Sequence, residues 1–218
     1  MSARPRLLDL FCCEGGAAVG YNQAGFDVTG VDIQSQKHYP FRMFVGDAIQ
    51  FVKDRGHEYD AIHASPPCQA YTSLKVLSAN EHPDLVGVTR EALIATGKPW
   101  IIENVVGAPL IDPIMLCGTE FGLEADCRDG ARRQLRRHRL FESSIPITRK
   151  GACAHKGQAV GVYGSGGGGQ QTRGYKGYPE EARDAMGIQW MGNSKRISQA
   201  IPPAYTEWLG GQLIAHCS

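Results

Sequence analysis

Short apolar segments alternate with helix-like segments through the first half of the chain, and this alternation constrains the fold more than any other feature. The helix-like segments are residues 17–25, 48–53 and 84–97. The apolar segments are predicted to be buried strands: residues 6–11, 27–31, 42–45, 59–64 and 99–102. Alternating strands and helices are typical of a mostly parallel central sheet flanked by helices. The sequence therefore predicts an α/β fold, and 218 residues are enough for one such domain.

Composition excludes a membrane-spanning chain, because no apolar run approaches the roughly 18 residues that a span needs. The formal net charge of +1 indicates no particular partner. Seven cysteines are an odd number, and no apolar leader precedes the first predicted strand, so a disulfide framework is not expected. We expect a protein of the reducing cytoplasm.

A zinc site is a weaker possibility among the same cysteines. Three of them and a histidine follow one another in the second half of the chain: Cys117, Cys127, Cys153 and His155. The chain contains no Cys-x2-Cys pair, and these spacings are irregular. The sequence therefore predicts no metal site.

The ends of the first three predicted strands carry residues suited to a nucleotide-like ligand. Cys12-Cys13-Glu14-Gly15-Gly16 follows the first strand, and its glycines would let the backbone approach a ligand closely. Asp32 ends the second strand, where an acid can bind a pair of ribose hydroxyls. Asp47 follows the third strand and suits either an adenine amino group or the N-cap of the next helix.

The ends of the next two strands carry candidate catalytic residues. Ser65-Pro66-Pro67-Cys68 follows the fourth strand, and its two prolines would fix Cys68 on a rigid loop rather than in the packed interior. Glu103 ends the fifth strand. Because ligands bind beyond the carboxyl ends of parallel strands, Cys68 and Glu103 are predicted to face one crevice. The alternatives are a buried structural Cys68 and a Glu103 that caps the following backbone.

Six short motifs occur in a characteristic order. They are Asp9-Leu10-Phe11 with Gly15-Gly16, Gly46-Asp47-Ala48, Pro67-Cys68-Gln69, Glu103-Asn104-Val105, Arg137-His138-Arg139-Leu140-Phe141 and Gln199-Ala200-Ile201-Pro202-Pro203. The sequence resembles the DNA (cytosine-5) methyltransferases along almost its whole length, most closely the compact forms carried by bacteriophages. The resemblance implies a Rossmann-like S-adenosylmethionine-dependent methyltransferase fold and methylation of cytosine C5 in double-stranded DNA.

The resemblance also assigns roles to individual residues. Cys68 would be the nucleophile that adds to cytosine C6, Glu103 would protonate N3, and Arg139, with Arg137, would hold O2 of a flipped base. S-adenosylmethionine would be bound by residues from the strand ends and from a late segment: Phe11, Cys12, Glu14, Gly15, Gly16, Asp32, Ile33, Asp47, Ala48, Pro67, Gln199, Ala200 and Ile201.

DNA contacts are expected from an arginine stripe, since residues 132–139 hold five arginines in eight positions. A solvated charged face is the alternative. The predicted DNA-binding residues are Gln69, Arg132, Arg133, Arg136, Arg149 and Lys150. Residues 1–142 would form the catalytic core, 143–178 a reduced target-recognition insertion, and 179–218 the rest of the core. A monomer of low sequence specificity is expected, with a homodimer as the alternative.

Some positions depart from the family pattern. Leu135 stands where the family has glutamine, with Gln134 one place away, and Ser198-Gln199 replaces a Gly-Asn pair. Lys195 and Arg196 precede that pair, and their charge suits DNA phosphates or, alternatively, a donor whose transferred carbon carries a carboxylate, so that the transferred group would not be a plain methyl.

Other functions also stay open. RNA cytosine-5 methylation is one, and methylation of an exocyclic amine of cytosine or adenine is another, since Ser65-Pro66-Pro67 begins that motif too. A third is a catalytically silent DNA-binding protein.

Overall fold

The computed structural model describes residues 3–67, 85–162 and 175–217. Its strands are β1 (Arg6–Leu10), β2 (Asp27–Asp32), β3 (Arg42–Val45), β4 (Ala61–Ala64), β5 (Trp100–Asn104), β6 (Ile114–Leu116), β7 (Glu124–Asp126), β8 (Arg132–Gln134), β9 (Arg139–Ser143), β10 (Val160–Gly161) and β11 (Tyr175–Lys176). Its α-helices are α1 (Gly16–Gln23), α2 (Ala48–Arg55), α3 (Leu85–Ala95), α4 (Pro179–Met186), α5 (Ser194–Gln199) and α6 (Pro203–Leu213).

Seven strands form one sheet in the order β3-β2-β1-β4-β5-β9-β6. The first five strands in this order are parallel, and β9 runs antiparallel to both β5 and β6. The strand order reverses between β1 and β4, because β1 connects outward to β2 and β3 before the chain returns to β4 on the other side. This confirms the predicted α/β class and creates a crevice at the carboxyl ends of the two central strands.

Adjacent apolar residues in the strands supply a core on each face of the sheet. Leu7 and Ile101 point to the face covered by α1 and α6, whereas Leu8 and Ile102 point to the face covered by α2 and α3. Side chains alternate between the two faces of a strand, so a central strand buried on both sides needs a continuous apolar run. This is why unbroken apolar segments, rather than alternating ones, marked the strands in the sequence.

The C-terminal helix α6 packs on the core of the sheet. Its residues Tyr205, Leu209 and Leu213, spaced to share one helix face, are fully buried in the core that also contains Leu7. The direct partner of α6 is α1, where the side-chain hydroxyl of Thr206 donates to the Ala17 carbonyl over 2.9 Å. Helix α6 thereby holds α1 and the glycine turn before it.

For the region after β5, the sequence predicts an antiparallel extension of two strands, residues 116–122 and 138–142, joined by an arginine-rich loop. The structure differs, because β6 ends at Leu116 and Gly118–Phe121 forms a 3-10 turn. The segment at 138–142 does form a strand, β9, which pairs antiparallel with β6. It lies inside the main sheet between β5 and β6 rather than in a separate extension. A short β7–β8 hairpin occupies the connection.

A third core lies beside the sheet. Its buried residues come from three stretches of the chain, 125–135, 160–162 and 182–200: Ala125, Cys127, Leu135, Val160, Val162, Ala182, Ala185, Met186, Ile188, Met191, Ile197 and Ala200. The domain limits at 142–143 and 178–179 stay predictions, and this core draws residues from both sides of each. In the described ranges no helix is long and apolar enough to cross a membrane.

Candidate active site

A cavity of about 320 Å³ opens at the carboxyl edge of the sheet. It is bounded by the ends of β1, β2, β4 and β5, the start of β9, and residues 196–201. Many of the predicted site residues line it: Phe11, Cys12, Gly16, Asp32, Ile33, Pro67, Glu103, Arg139, Gln199, Ala200 and Ile201. Glu14, Gly15, Asp47, Ala48 and Arg137 do not belong to its lining.

The turn between β1 and α1 is tightly constrained. Phe11 and Cys13 adopt positive φ angles of 59° and 46°, which non-glycine residues rarely do, and Gly15 adopts 83°. A Cβ atom on Gly16 would collide with the carbonyl oxygen of Ile201. Strain of this kind collects at functional sites, where the surrounding structure holds it in place. Gly16 therefore lets the turn pack directly against the Ile201 backbone at the cavity wall.

Asp32 lines the cavity with its carboxylate nearly buried, at 8% exposure. One oxygen accepts a hydrogen bond from the Cys13 backbone N–H and the other from the Gln34 N–H, each over 3.0 Å. A carboxylate has about four acceptor positions, so Asp32 retains capacity for a ligand's hydroxyl groups.

The other two predicted acidic residues have structural partners. Asp47 is exposed and caps α2 by accepting from the Gln50 N–H over 2.8 Å. Glu14 is buried and accepts from the Gly192 N–H over 3.2 Å, while its carbonyl accepts from the Trp190 indole over 2.8 Å. Of the two roles proposed for Asp47, the structure shows the N-cap.

Asp9 begins the first of the six motifs, but the sequence assigned it no role. Its carboxyl is buried beside the Tyr39 hydroxyl, which tends to lower its pKa, although among the described residues neither its Oδ2 atom nor that hydroxyl has a partner at good hydrogen-bond geometry. Burial, together with the nearby Asp32 carboxylate, raises the pKa of Asp9 well above its usual range. An unsatisfied buried polar atom is costly, so its position in the cavity wall suits a polar ligand group.

Glu103 and Arg139 form an ion pair at the cavity, with Arg139 Nε 3.0 Å from Glu103 Oε1. The antiparallel pairing of β5 with β9 brings the end of one strand beside the start of the other. Burial raises the pKa of Glu103, while Arg139, Arg137 and a hydrogen bond from Ser65 act in the opposite direction. Glu103 is thus a carboxyl group that binds a proton more readily than a free glutamate does.

Arg137 occupies a different place from Arg139. Its guanidinium donates to the Ala200 carbonyl over 2.7–2.9 Å and to the Ser198 carbonyl over 2.6 Å. These bonds fix the segment that forms one wall of the cavity. The predicted contact of Arg137 with a substrate base stays a prediction.

Two buried polar residues that we did not identify from the sequence support the cavity edge. His63 lies on β4 between the Tyr21 hydroxyl, 3.0 Å away, and the Ser65 hydroxyl, 2.9 Å away. Burial lowers the pKa of His63 to about 3, so its ring is neutral near pH 7. Asn104 Nδ2 donates to the Pro66 carbonyl over 3.0 Å. A histidine inside an otherwise apolar strand was the available signal, because a buried imidazole needs partners.

Cys68 and Gln69 lie outside the described residues. The described chain reaches Pro67, which lines the cavity, and the Asn104 bond fixes the preceding Pro66. The sequence prediction for Cys68 therefore stays a prediction.

The arginine stripe is largely paired with acidic residues. Arg132 contacts Glu124 across the β7–β8 hairpin over 2.7 Å, and Arg133 forms two 2.6 Å bonds to Asp129. Arg136 donates to the Gly157 carbonyl, Arg149 pairs with Glu120, and Lys150 lies over the Phe121 ring. Exposed ion pairs such as that of Arg132 contribute little stability, so they hold the guanidinium only weakly. The DNA contacts of these residues stay predictions.

Of the two basic residues near the late segment, Arg196 lines the cavity and Lys195 is exposed outside it. The Arg196 guanidinium lies 4.0 Å from the Cys13 sulfur. Arg196 therefore adds a positive charge to the cavity wall, in addition to that of Arg139.

No protein-family model matches the sequence, and no curated protein matches it. Solved structures do match. The Dnmt2 methyltransferase of S. pombe is 11% identical and aligns over 98% of this chain and 99% of its own, with a TM-score of 0.59. The Entamoeba histolytica methyltransferase EhMeth is 12% identical, with the same coverage and TM-score. The fold is that of the S-adenosylmethionine-dependent methyltransferases.

A third structure, described as a DNA modification methyltransferase encoded within an E. coli prophage, is 21% identical with a TM-score of 0.46. The alignment covers 63% of this chain, which spans only 45% of that protein.

Proposed function

We propose that this protein transfers a methyl group from S-adenosylmethionine to C5 of cytosine in DNA, through a covalent bond to Cys68. The observation that carries the proposal is the buried Glu103–Arg139 pair at the cavity, beside the Pro66–Pro67 corner that leads directly to Cys68. A carboxyl group and a guanidinium at this place match the needs of a cytosine ring, whose N3 must be protonated and whose O2 must be held.

S-adenosylmethionine is the cofactor, and it supplies an electrophilic methyl group bonded to sulfur. Asp32 accepts hydrogen bonds from its ribose, and the strained turn with Gly15 and Gly16 lets the backbone approach it. The orphaned carboxyl of Asp9 suits its polar amino-acid end. The two methyltransferase structures that align over nearly the whole chain support this cofactor.

The chemistry on cytosine then depends on the three side chains. Because C5 is a poor nucleophile, the thiolate of Cys68 first bonds to C6 while Glu103 delivers its proton to N3. Arg139 holds O2 and keeps Glu103 in place. After methyl transfer to C5, loss of the C5 proton breaks the S–C6 bond and frees Cys68. The base must leave the duplex stack to reach the cavity, which costs a few kcal/mol.

Two other cysteines near the cavity are unsuited to this role. Burial raises the pKa of the Cys13 thiol to about 11 and that of Cys12 above its ordinary value. A buried thiol that resists ionisation is a poor nucleophile, since the thiolate is the reactive form. This supports the assignment of the nucleophile to Cys68.

RNA remains the second candidate substrate, because an S. pombe Dnmt2 fold and a cavity of this kind do not separate the two polymers. Methylation of an exocyclic amine is less well supported, since it would leave the Glu103–Arg139 pair without a chemical role.

The test is incubation with methyl-labelled S-adenosylmethionine and matched DNA or RNA, followed by digestion to nucleosides. We expect label in 5-methylcytosine from DNA. DNA with 5-fluorocytosine should form an adduct that survives denaturation, because fluorine cannot leave as a proton does. Cys68→Ser should abolish the adduct, and Cys217→Ser, a partly exposed cysteine far from the cavity, should retain it. Label in an exocyclic amine, or an undiminished adduct in Cys68→Ser, would overturn the proposal.

A further inference from the structure

Four metal-binding side chains converge at the edge of the sheet, away from the cavity. Cys117 follows β6, His138 directly precedes β9, and Cys153 and His155 lie in the segment after β9. One sulfur or nitrogen atom from each lies within 4.8 Å of all the others. Three separate parts of the chain therefore bring their ligand atoms to one point.

The measured separations match the edges of a tetrahedron. Cys117 Sγ lies 3.2 Å from His155 Nε2, the two histidine Nε2 atoms are 3.3 Å apart, and Cys153 Sγ lies 3.7 Å from His138 Nε2. Zinc binds sulfur at about 2.3 Å and imidazole nitrogen at about 2.0–2.1 Å, so the corners of its tetrahedron are about 3.3–3.8 Å apart. Three of the six separations are thus close to those around a zinc ion, and the other three are at most 4.8 Å.

Hydrogen bonding among these groups does not account for the arrangement. His155 Nε2 faces both a thiol and the Nε2 atom of His138, and a ring nitrogen donates or accepts but cannot do both. Thiols are weak donors as well. A cation between these four mutually close atoms would satisfy them together, although the two sulfurs also contact Thr119 and Arg149.

Neighbouring groups hold the segment in place. The Glu120 carboxylate accepts from the Cys117 N–H over 3.0 Å and from Arg149 over 2.7 Å. The Thr119 hydroxyl accepts from the Ala154 N–H over 3.1 Å. Outer partners of this kind orient metal ligands and are part of a functioning site.

We propose that Cys117, His138, Cys153 and His155 bind one Zn²⁺ ion in a structural site. All four positions are filled by protein side chains, as in closed structural sites, so no open position is left for catalysis. Two thiolates with two imidazoles in a tetrahedron favour zinc over harder cations. The possible zinc ligands considered from the sequence included Cys117, Cys153 and His155, but Cys127 stood in the place that His138 takes in the structure. Cys127 is buried in the third core instead.

The proposed zinc site is also connected to the active site, because one of its ligands is next to an active-site residue in the chain. His138 directly precedes Arg139, whose guanidinium donates to the His138 carbonyl over 2.8 Å. Zinc would therefore fix both the start of β9 and the loop of residues 149–155 against β6.

Untagged protein, purified without chelators, tests the proposal by elemental analysis and native mass spectrometry. We expect about one zinc per chain. Protein stripped of metal and refilled with Co²⁺ should show the visible bands of a tetrahedral ion together with a thiolate charge-transfer band. Cys153→Ser and His155→Ala should lose stoichiometric metal. Cys127→Ala and Cys217→Ser, cysteines outside the cluster, should retain it.

If the cluster variants fail to fold, the wild-type protein still tests the proposal. Chelation should lower its melting temperature, and added zinc should restore that temperature. Zinc below about 0.1 per chain with no tetrahedral Co²⁺ spectrum would overturn the proposal, as would a Cys117–Cys153 disulfide as the sole form of the purified protein. Metal content is independent of methyl transfer, so Cys68→Ser should retain its zinc whatever the reaction proves to be.

Discussion

Glu103 is subject to two opposing influences whose balance suits an acid that must give up a proton. Burial favours the neutral carboxyl and is the larger influence, so the pKa is raised although Arg139 lies 3.0 Å away. Arg139 therefore orients the carboxyl without forcing it to stay ionised. An arginine beside an exposed glutamate would instead lower the pKa of that glutamate.

This balance predicts the pH dependence of methyl transfer. The raised pKa of Glu103 means that its protonated fraction persists to higher pH than in a free glutamate and is lost as pH rises through the folded value. Above the pKa of Glu103, loss of its proton should lower the rate about tenfold per pH unit. Ionisation of the nucleophilic thiol acts in the opposite direction, because it increases the rate as pH rises. Glu103→Gln should lower the single-turnover rate by about 10²–10⁴-fold and remove the falling limb.

The matched control is Glu58→Gln, an acid paired with Arg55 on the surface, where the profile should stay as in the wild type. A falling limb that survives in Glu103→Gln would assign that proton to another group.

Asp32 is the residue on which the predicted cofactor affinity depends. Asp32→Ala should weaken S-adenosylmethionine binding by about 1.5–3 kcal/mol, because hydrogen bonds to a charged group contribute about that much. Calorimetry on the free protein measures this without nucleic acid. Asp27→Ala removes an exposed carboxylate from the other end of the same strand and should leave the affinity unchanged. Equal affinities for the wild type and Asp32→Ala would place the ribose elsewhere.

At the scale of elements, the ends of β4 and β5 are tied together by buried polar groups. His63 links Tyr21 of α1 to Ser65, and Asn104 at the end of β5 holds the carbonyl of Pro66. The Pro66–Pro67 corner is thus fixed by its neighbours as well as by its own ring geometry. Cys68 comes directly after this corner in the chain.

Asn104→Ala should therefore affect both stability and rate. The substitution leaves the buried Pro66 carbonyl unsatisfied, which costs about 1–3 kcal/mol. Thermal unfolding and single-turnover methyl transfer measure the two effects. Asn22→Ala is a close control, because it removes a similar amide bond to the Phe26 carbonyl at the far end of α1. It should lower the melting temperature and leave the rate per folded molecule intact. A normal rate in Asn104→Ala would show that the corner does not depend on this bond.

The sequence predicted the central elements well because their signals are local. Buried parallel strands need unbroken apolar runs, and β3 was placed at its exact bounds, residues 42–45. The predicted partners Glu103 and Arg139 meet because strand ends at one edge of a sheet are brought together by topology. The region after β6 was predicted less well, since the 3-10 turn at Gly118–Phe121 and the short helix α5 are fixed by tertiary contacts rather than by periodicity.

The sequence also did not indicate the roles of polar residues whose partners lie far away in the chain. His63, Asp9 and His138 lie in recognisable segments, but their partners come from distant parts of the chain, so their environments exist only after β1, β4 and β9 have assembled. The sequence could not decide between the two roles left open for Asp47, because a helix N-cap and a contact to a ligand favour the same residue type.

At the scale of the whole molecule, parts of the described insertion pack against the protein's own body. Ile145 and Ile147 pack on the core that contains Leu7, Val160 and Val162 are buried in the third core, and residues 149–155 are held against the Cys117–Glu120 turn. Side chains engaged in this way are not free to read the edges of bases. The proposed recognition segment, residues 143–178, is also only about three dozen residues long, whereas direct readout needs several rigid side chains that reach the base edges.

Low sequence specificity is the expected consequence. Direct readout needs several fixed side chains in a groove, whereas contacts between basic residues and phosphates bind any sequence and weaken steeply with salt. Bisulfite sequencing of a plasmid treated with the protein should show methylation in a context of about one to three bases. Affinity for unrelated duplexes should fall in parallel as salt is raised. Arg132→Ala, in an exposed pair with Glu124, should lower affinity uniformly across sequences and leave the methylated context unchanged. Methylation confined to a palindrome of about four to six bases would contradict this, and sedimentation of the complex would then show whether a second copy of the chain supplies the missing contacts.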